Sequence, residues 1–273
     1  MISIVILTKN EEKDLPMSLQ SVSWSDDVHV LDSGSTDKTL EISKEFGAIV
    51  SHNPFQSFGQ QRNHALDHLK IKNNWILFLD ADEVVTNEFK NAMFDAIANA
   101  DATIAGYFCC WKMMLEGRWL KHCDNFPKWQ FRLMRKGMAR FTDFGHGQKE
   151  SEVKGRIEYL KEPYLHYGFS KGWALWIERH NRYSTQEATE RLKNRPPFKH
   201  VFEKHASKRN PALKSWLSLL PGWPFIRFFQ AYVLSLGFLE GIPGFIYCIN
   251  MSYYEFLIQI KIREIKKESV TKQ

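Results

Sequence analysis

Short apolar runs alternate with longer amphipathic ones through the first 80 residues, and that alternation decides most of what this chain can fold into. ISIVILT (2–8) is apolar, β-branched and short, which reads as a buried strand. A helical pattern follows over about 15–24, with Pro16 tolerated in its first turn. VHVLDS is a second strand. STDKTLEISKEFG is a helix that opens on a cap-like Ser or Thr and stops at Gly47. AIVSH, FGQQRNHALDHL and NWILFLD then give strand, helix and strand. Strands separated by helices of this length imply an α/β class, with a parallel sheet covered on both faces.

In such sheets ligands bind beyond the carboxyl ends of the strands. The segments there are TKNEE, DSGSTD, HNPFQSFGQQRN and DADE, all polar, and together they predict one crevice. After residue 100 the pattern is less regular. AGYFCCWKMMLEGRWL and WQFRLMRKG read as strands around a turn, GHGQKES as a loop, and 172–192 as helix. Five prolines break 194–224 into short pieces, and 225–265 is apolar and aromatic before turning basic. These shifts predict two parts, 1–192 and a helical 193–273.

Three carboxylates crowd the end of the fourth strand in LFLDADE: Asp80, Asp82 and Glu83. Asp80 and Asp82 are two apart on an extended segment, so they share a side, and Ala81 between them adds no bulk. Such a pair suits a hard cation that also grips a diphosphate; a solvated, helix-capping turn is the alternative. Asp32 follows its strand in the same way and could accept a ring N–H from a nucleobase. Arg62, in GQQRN, could pair with a diphosphate or brace the carboxylates, and a plain surface arginine is the alternative. No G-x-G-x-x-G follows the first strand and no P-loop is present.

The net charge of +6 favours an anionic partner. Nucleic acid is disfavoured, because the aromatics sit in the apolar tail and not among the basic residues. Four cysteines without CxxC spacing fit a reduced, cytoplasmic setting. MISIVILTKNEE lacks a basic lead and a cleavage pattern, so it reads as a strand and not as a signal peptide.

TKNEE, DSGSTD, GQQRN and LDADE occur in an order that resembles the inverting glycosyltransferases of family 2. That resemblance is specific over about 1–110. It implies the GT-A nucleotide-sugar fold, a Rossmann-like, mostly parallel sheet with flanking helices, carrying here a helical, aromatic-rich C-terminal extension. It places Thr8, Asn10, Glu11 and Asp32 at the uracil end of a UDP-sugar, Arg62 near the nucleotide, and Asp80 nearer the ribose. Asp82 becomes the more direct ligand of a divalent metal, Mg²⁺ or Mn²⁺, whose charge with the bound diphosphate would offset the acidic cluster. His166, in YLHYGFSK, is a candidate third ligand, or a buried structural histidine. Lys171, Arg179 and Arg182 are candidates to line the approach of an anionic substrate, with ordinary helix-surface charges as the alternative.

Inversion requires a base opposite the leaving UDP. FGHGQKE departs from the spacing of the His-Glu pair that many relatives carry, so Glu150 is taken first, His146 next and Asp143 third, each with a backbone-bonding loop residue as the alternative. The tail resembles that of bacterial lipopolysaccharide-core β-glucosyltransferases. This implies UDP-glucose as donor, an inner-core heptose or another lipid-linked glycan as acceptor, and a peripheral position on the cytoplasmic face of the inner membrane. Amphipathic helices in the membrane interface suit the tail, with a helical subdomain packed on the core or on a second subunit as the alternative. A non-catalytic nucleotide-sugar-binding protein is the rival reading for the whole chain.

Overall fold

The structure, a computed structural model, describes residues 1–144 and 147–271, with side chains through 268. Among these, the predicted alternation is present: β1 (Ile2–Thr8), α1 (Leu15–Ser21), β2 (Val28–Asp32), α2 (Thr39–Glu45), β3 (Ile49–His52), α3 (Phe58–His68) and β4 (Trp75–Asp80). β5 (Glu83–Val84), α4 (Asn87–Ala98), β6 (Ile104–Leu115), β7 (Arg118–Trp119) and β8 (Trp129–Arg135) follow, then β9 (Arg140–Phe144), β10 (Gly147–Ser151) and β11 (Arg156–His166). The remainder is helical: α5 (Trp173–Lys193), α6 (Ala206–Leu217), α7 (Trp223–Phe229) and α8 (Gly241–Thr271).

The main sheet runs β3-β2-β1-β4-β8-β6-β11-β5, with β7 beside β6. β1 pairs in parallel with both β2 and β4, and β2 with β3, so Thr8, Asp32, His52 and Asp80 end on one edge. β8 enters antiparallel between β4 and β6, and β11 runs parallel to β6, which brings His166 to that same edge. GHGQKES was expected as a loop. Its described part, Gly147–Ser151, is instead β10, an antiparallel partner of β9. An alternating polar segment next to a ready edge gains ladder hydrogen bonds that a solvated loop lacks.

The alternation of β1 shows why both faces had to be apolar. Ile2, Ile4 and Ile6 pack with Leu77, Leu79, Leu15 and Phe89, beneath α1 and α4. Val5 points the other way and packs with Leu31, Phe78, Ala65 and Phe141, beneath α3 and β9. Each buried Ile or Leu of this kind contributes about 1.5–3 kcal/mol relative to exposure.

Two compact units emerge: Met1–Trp119 with Phe126–Lys171, and Leu120–Asn125 with Gly172–Gln273. In the second, Ala188 of α5 packs against Tyr254, Ile258 and Ile262 of α8. Arg191 grips Glu255 through two bonds of 2.8 and 3.1 Å, and Trp223 Nε1 donates to the same carboxylate. The short 120–125 segment is held in this unit. Glu240 accepts the backbone N–H groups of His122 and Cys123, and the Tyr247 hydroxyl donates to Asp124. All four cysteines are free and buried.

Candidate active site

The two loops that follow β1 and β2 are laced into one wall. Asn10 Oδ1 accepts the Thr36 N–H at 2.8 Å, and the N–H groups of Asn10, Glu11 and Glu12 donate to Ser35, Thr39 and Asp37. Asp37, one residue before the N-cap of α2, also accepts the Thr39 N–H. Asn10 holds φ 57°, a left-handed conformation that Asn tolerates better than most residues.

Asp32 sits at the centre of this wall and is 1% exposed. One oxygen accepts from the Thr8 and Ser35 hydroxyls, the other from the N–H groups of Gly34 and Ser35. Burial opposes its charge, but these donors prevail and hold the carboxyl below its ordinary range. Four bonds fill a carboxylate's acceptor capacity. A nucleobase N–H would therefore have to displace one of them, while His52, 3.8 Å away and 61% exposed, stands at the open side. Behind the wall, Gln61 donates to Ser33 and to the Asn53 carbonyl, and accepts from the Asn53 amide.

The acidic cluster at the end of β4 is compensated from within the protein. Arg62 Nη2 lies 3.1 Å from Asp80 Oδ1, and Arg132 Nη2 lies 2.6 Å from both Asp80 Oδ2 and Glu83 Oε1. Both arginines are 1% exposed. Tyr164 donates to Glu83, whose other oxygen accepts the Asp80 N–H. Burial works against the Asp80 charge, yet Arg132 and Arg62 hold its carboxyl well below the usual range. Burial raises Glu83 to about 7, with Arg132 opposing the rise. Two carboxylates thus face two guanidiniums. The offset expected from a metal and a diphosphate is already supplied by Arg62, which the sequence suggested, and Arg132, which it did not.

Asp82 lies beside His166. Its side chain is 18% exposed, and its Oδ2 lies 3.5 Å from His166 Nε2. Burial opposes protonation of His166, but Asp82 raises it to about 9. Trp111 meets the imidazole edge-on at 6.0 Å, and His166 Nδ1 is buried without a hydrogen-bond partner. Among the described residues, no group of three or more His, Cys, Asp or Glu side chains is placed to hold a metal ion by itself. Asp82 and His166 would leave the other positions around a cation to a diphosphate and water. Asp80, the other metal candidate, is engaged by two arginines.

The segment after β11 returns to the first loop. The Tyr167 N–H donates to the Asp82 carbonyl, Ser170 Oγ to Asp14, and Lys171 Nζ to the Asn10 carbonyl, with Glu11 2.6 Å from the same ammonium. Lys171, a candidate to line the approach of an anionic substrate, is thus bonded to the loop after β1. Arg179 belongs to the second unit.

Of the base candidates, Asp143 accepts the Gly59 N–H at the start of α3. Glu150 lies on β10 and lines a cleft of about 110 Å³ with Phe108, Trp129, Phe131 and Gln148. His146 lies outside the described residues. A larger cavity of about 300 Å³, lined by Leu19, Asp26 and Lys72 among others, opens at the opposite ends of the strands and gathers none of these groups.

The sequence profile described as glycosyl transferase family 2 matches residues 3–148. An uncharacterized glycosyltransferase of Rickettsia conorii is 28% identical over 98% of this chain and 92% of its own length. The lipopolysaccharide core biosynthesis glycosyltransferase LpsC of Rhizobium meliloti is 23% identical over 96% and 91%. Among solved structures, S. aureus TarS in complex with UDP-GlcNAc aligns over 100% of this chain and 92% of that one, with 18% identity and a TM-score of 0.45.

Proposed function

We propose, for a chain that belongs to glycosyl transferase family 2, that it transfers a hexose from a UDP-sugar to a cell-envelope glycan with inversion at the anomeric carbon. UDP-glucose is the donor to test first, and the inner-core heptose of lipopolysaccharide the acceptor, a choice supported by the similarity to LpsC. The observation that carries the reading is the separation of roles among three crowded carboxylates. Asp80 and Glu83 are consumed by buried arginines, while Asp82 is directed to the sheet edge beside His166.

Residues 1–192 would carry the chemistry. Thr8, Asn10, Glu11 and Asp32 shape the wall that receives the nucleoside, and Arg62 keeps Asp80 fixed near the ribose. Asp82 and His166 would hold Mg²⁺ or Mn²⁺. When bound, such a cation stabilises negative charge on a departing diphosphate. Glu150 takes the proton of the acceptor hydroxyl as its oxygen bonds to the anomeric carbon, and the bond to the UDP oxygen breaks with its electron pair. Residues 193–273 would place the enzyme on the cytoplasmic face of the inner membrane, where a lipid-linked acceptor is presented.

Calorimetry with UDP, with and without Mn²⁺, on wild type and Asp82→Ala tests the donor site. Binding only to wild type with metal is expected. Equal binding by the mutant removes the metal assignment, and no binding in any condition removes UDP as the donor.

A further inference from the structure

No single helix among the described residues is long and apolar enough to cross a membrane. The segments Trp223–Leu234 and Gly237–Glu268 pass only as a pair, bent by 71°. Along α8, Ile242, Phe245, Ile249, Tyr253 and Phe256 recur every three or four residues, so they form one stripe. All are 41–72% exposed. The opposite stripe, with Cys248, Tyr254, Ile258 and Ile262, is buried. A helix apolar on both faces needs a covering medium on each. Before the bend, Phe225, Phe229 and Leu234 are 79%, 54% and 67% exposed.

The charges are arranged accordingly. Between 215 and 260 no described charged residue is exposed; Glu240 and Glu255 are buried, and Arg227 is half-buried. Immediately before, 193–214 holds seven Lys or Arg against one Glu, and Lys214 is an electrostatic neighbour of Arg227. Immediately after come Lys261, Arg263, Lys266 and Lys267 with two acids. An apolar surface bracketed by cations matches the depth profile of a bilayer leaflet, with acyl chains below anionic headgroups. A second copy of α8 fits less well. In a heptad starting at Ile242, residue 252 takes a core position, and it is Ser252, whose hydroxyl is bonded to the Pro224 carbonyl.

We infer that the bent pair is an interfacial wedge that sinks the exposed faces of α7 and of the first half of α8 into one leaflet of an anionic phospholipid bilayer, without crossing it. This deepens the membrane placement proposed above but rests on the second unit alone, so its test uses no catalysis. The full chain is floated with vesicles of phosphatidylcholine alone or mixed with phosphatidylglycerol, at low and high salt. Partition into the anionic vesicles, weakened by salt, is expected. The triple substitution Phe225→Glu, Leu234→Glu and Ile242→Glu should lower it at least ten-fold, with the melting curve and UDP binding retained. Indifference to phosphatidylglycerol, or no partition by a folded wild type, overturns the inference. So does lipid-free sedimentation that shows a dimer abolished by the same substitutions.

Discussion

Arg132 Nη2 stands 2.6 Å from Asp80 Oδ2, and neither the bond nor the guanidinium it comes from is open to solvent on the arginine side. The carboxylate that begins the D-x-D is thereby a structural anion. The turn that follows is held by Glu83, whose Oε2 accepts the Asp80 N–H at 2.8 Å.

Replacing Arg132 with Met should cost about 3–5 kcal/mol, because the fully buried Glu83 would lose its guanidinium partner. Urea unfolding measures the loss. Adding Glu83→Gln should recover part of it, since one stranded charge is then removed; strict additivity of the two changes would show that the groups do not interact.

His166 offers a test by pH. Its raised value, about 9 against an ordinary 6.5, means the folded state binds the proton more tightly than the unfolded one. In the metal-free protein the His166–Asp82 pair therefore contributes fully below pH 6.5, and its contribution fades as pH rises through 9. An imidazole titration near 9 by NMR, falling toward 6.5 in Asp82→Asn, is expected. Because a metal needs the neutral ring, Mn²⁺ affinity should rise over the same interval.

Gly59 permits β9 to approach α3. A Cβ there would lie 2.7 Å from Asp143 Oδ1 and 3.1 Å from the Thr142 carbonyl carbon, and backbone cannot yield cheaply. Gly59→Ala should destabilise the protein by about 1–3 kcal/mol and expose the amides of the β9–β10 pair to hydrogen exchange. Protection equal to wild type would mean the hairpin does not depend on this contact.

Glu150→Gln should leave UDP binding unchanged and lower transfer by about 10²–10⁴-fold, the usual contribution of a general base. Full activity would pass the role to His146 or Asp143.

β1 and β4 were legible because both faces of each are buried, which writes a continuous apolar run into the sequence; β3, an edge strand with Ile49 exposed, was legible from its β-branched start after Gly47. The D-x-D and the loops around Asp32 were legible for a similar reason, as polar residues placed abruptly at strand ends. Arg132 was not, although a signal was there. It is a lone cation inside the apolar run QFRLM, and a charge in a buried strand must have a partner. Its partners, Glu83 on β5 and Asp80 on β4, lie 49 and 52 residues away, a pairing set by topology and not by local pattern. β10 was missed because its hydrogen bonds come from β9 and not from its own apolar content.

The chain leaves the first unit after Trp119, lends six residues to the second, and returns at Phe126. Those six wait for partners translated much later: Glu240 and Tyr247 are 118 and 123 positions downstream of His122 and Asp124. At about 5–20 residues per second the emerging chain would carry an unfilled slot for roughly 6–25 s. The second unit is therefore not a tail that can be trimmed. A ribosome stalled within it would leave Leu120 and Cys123, both buried in the finished protein, without their cover.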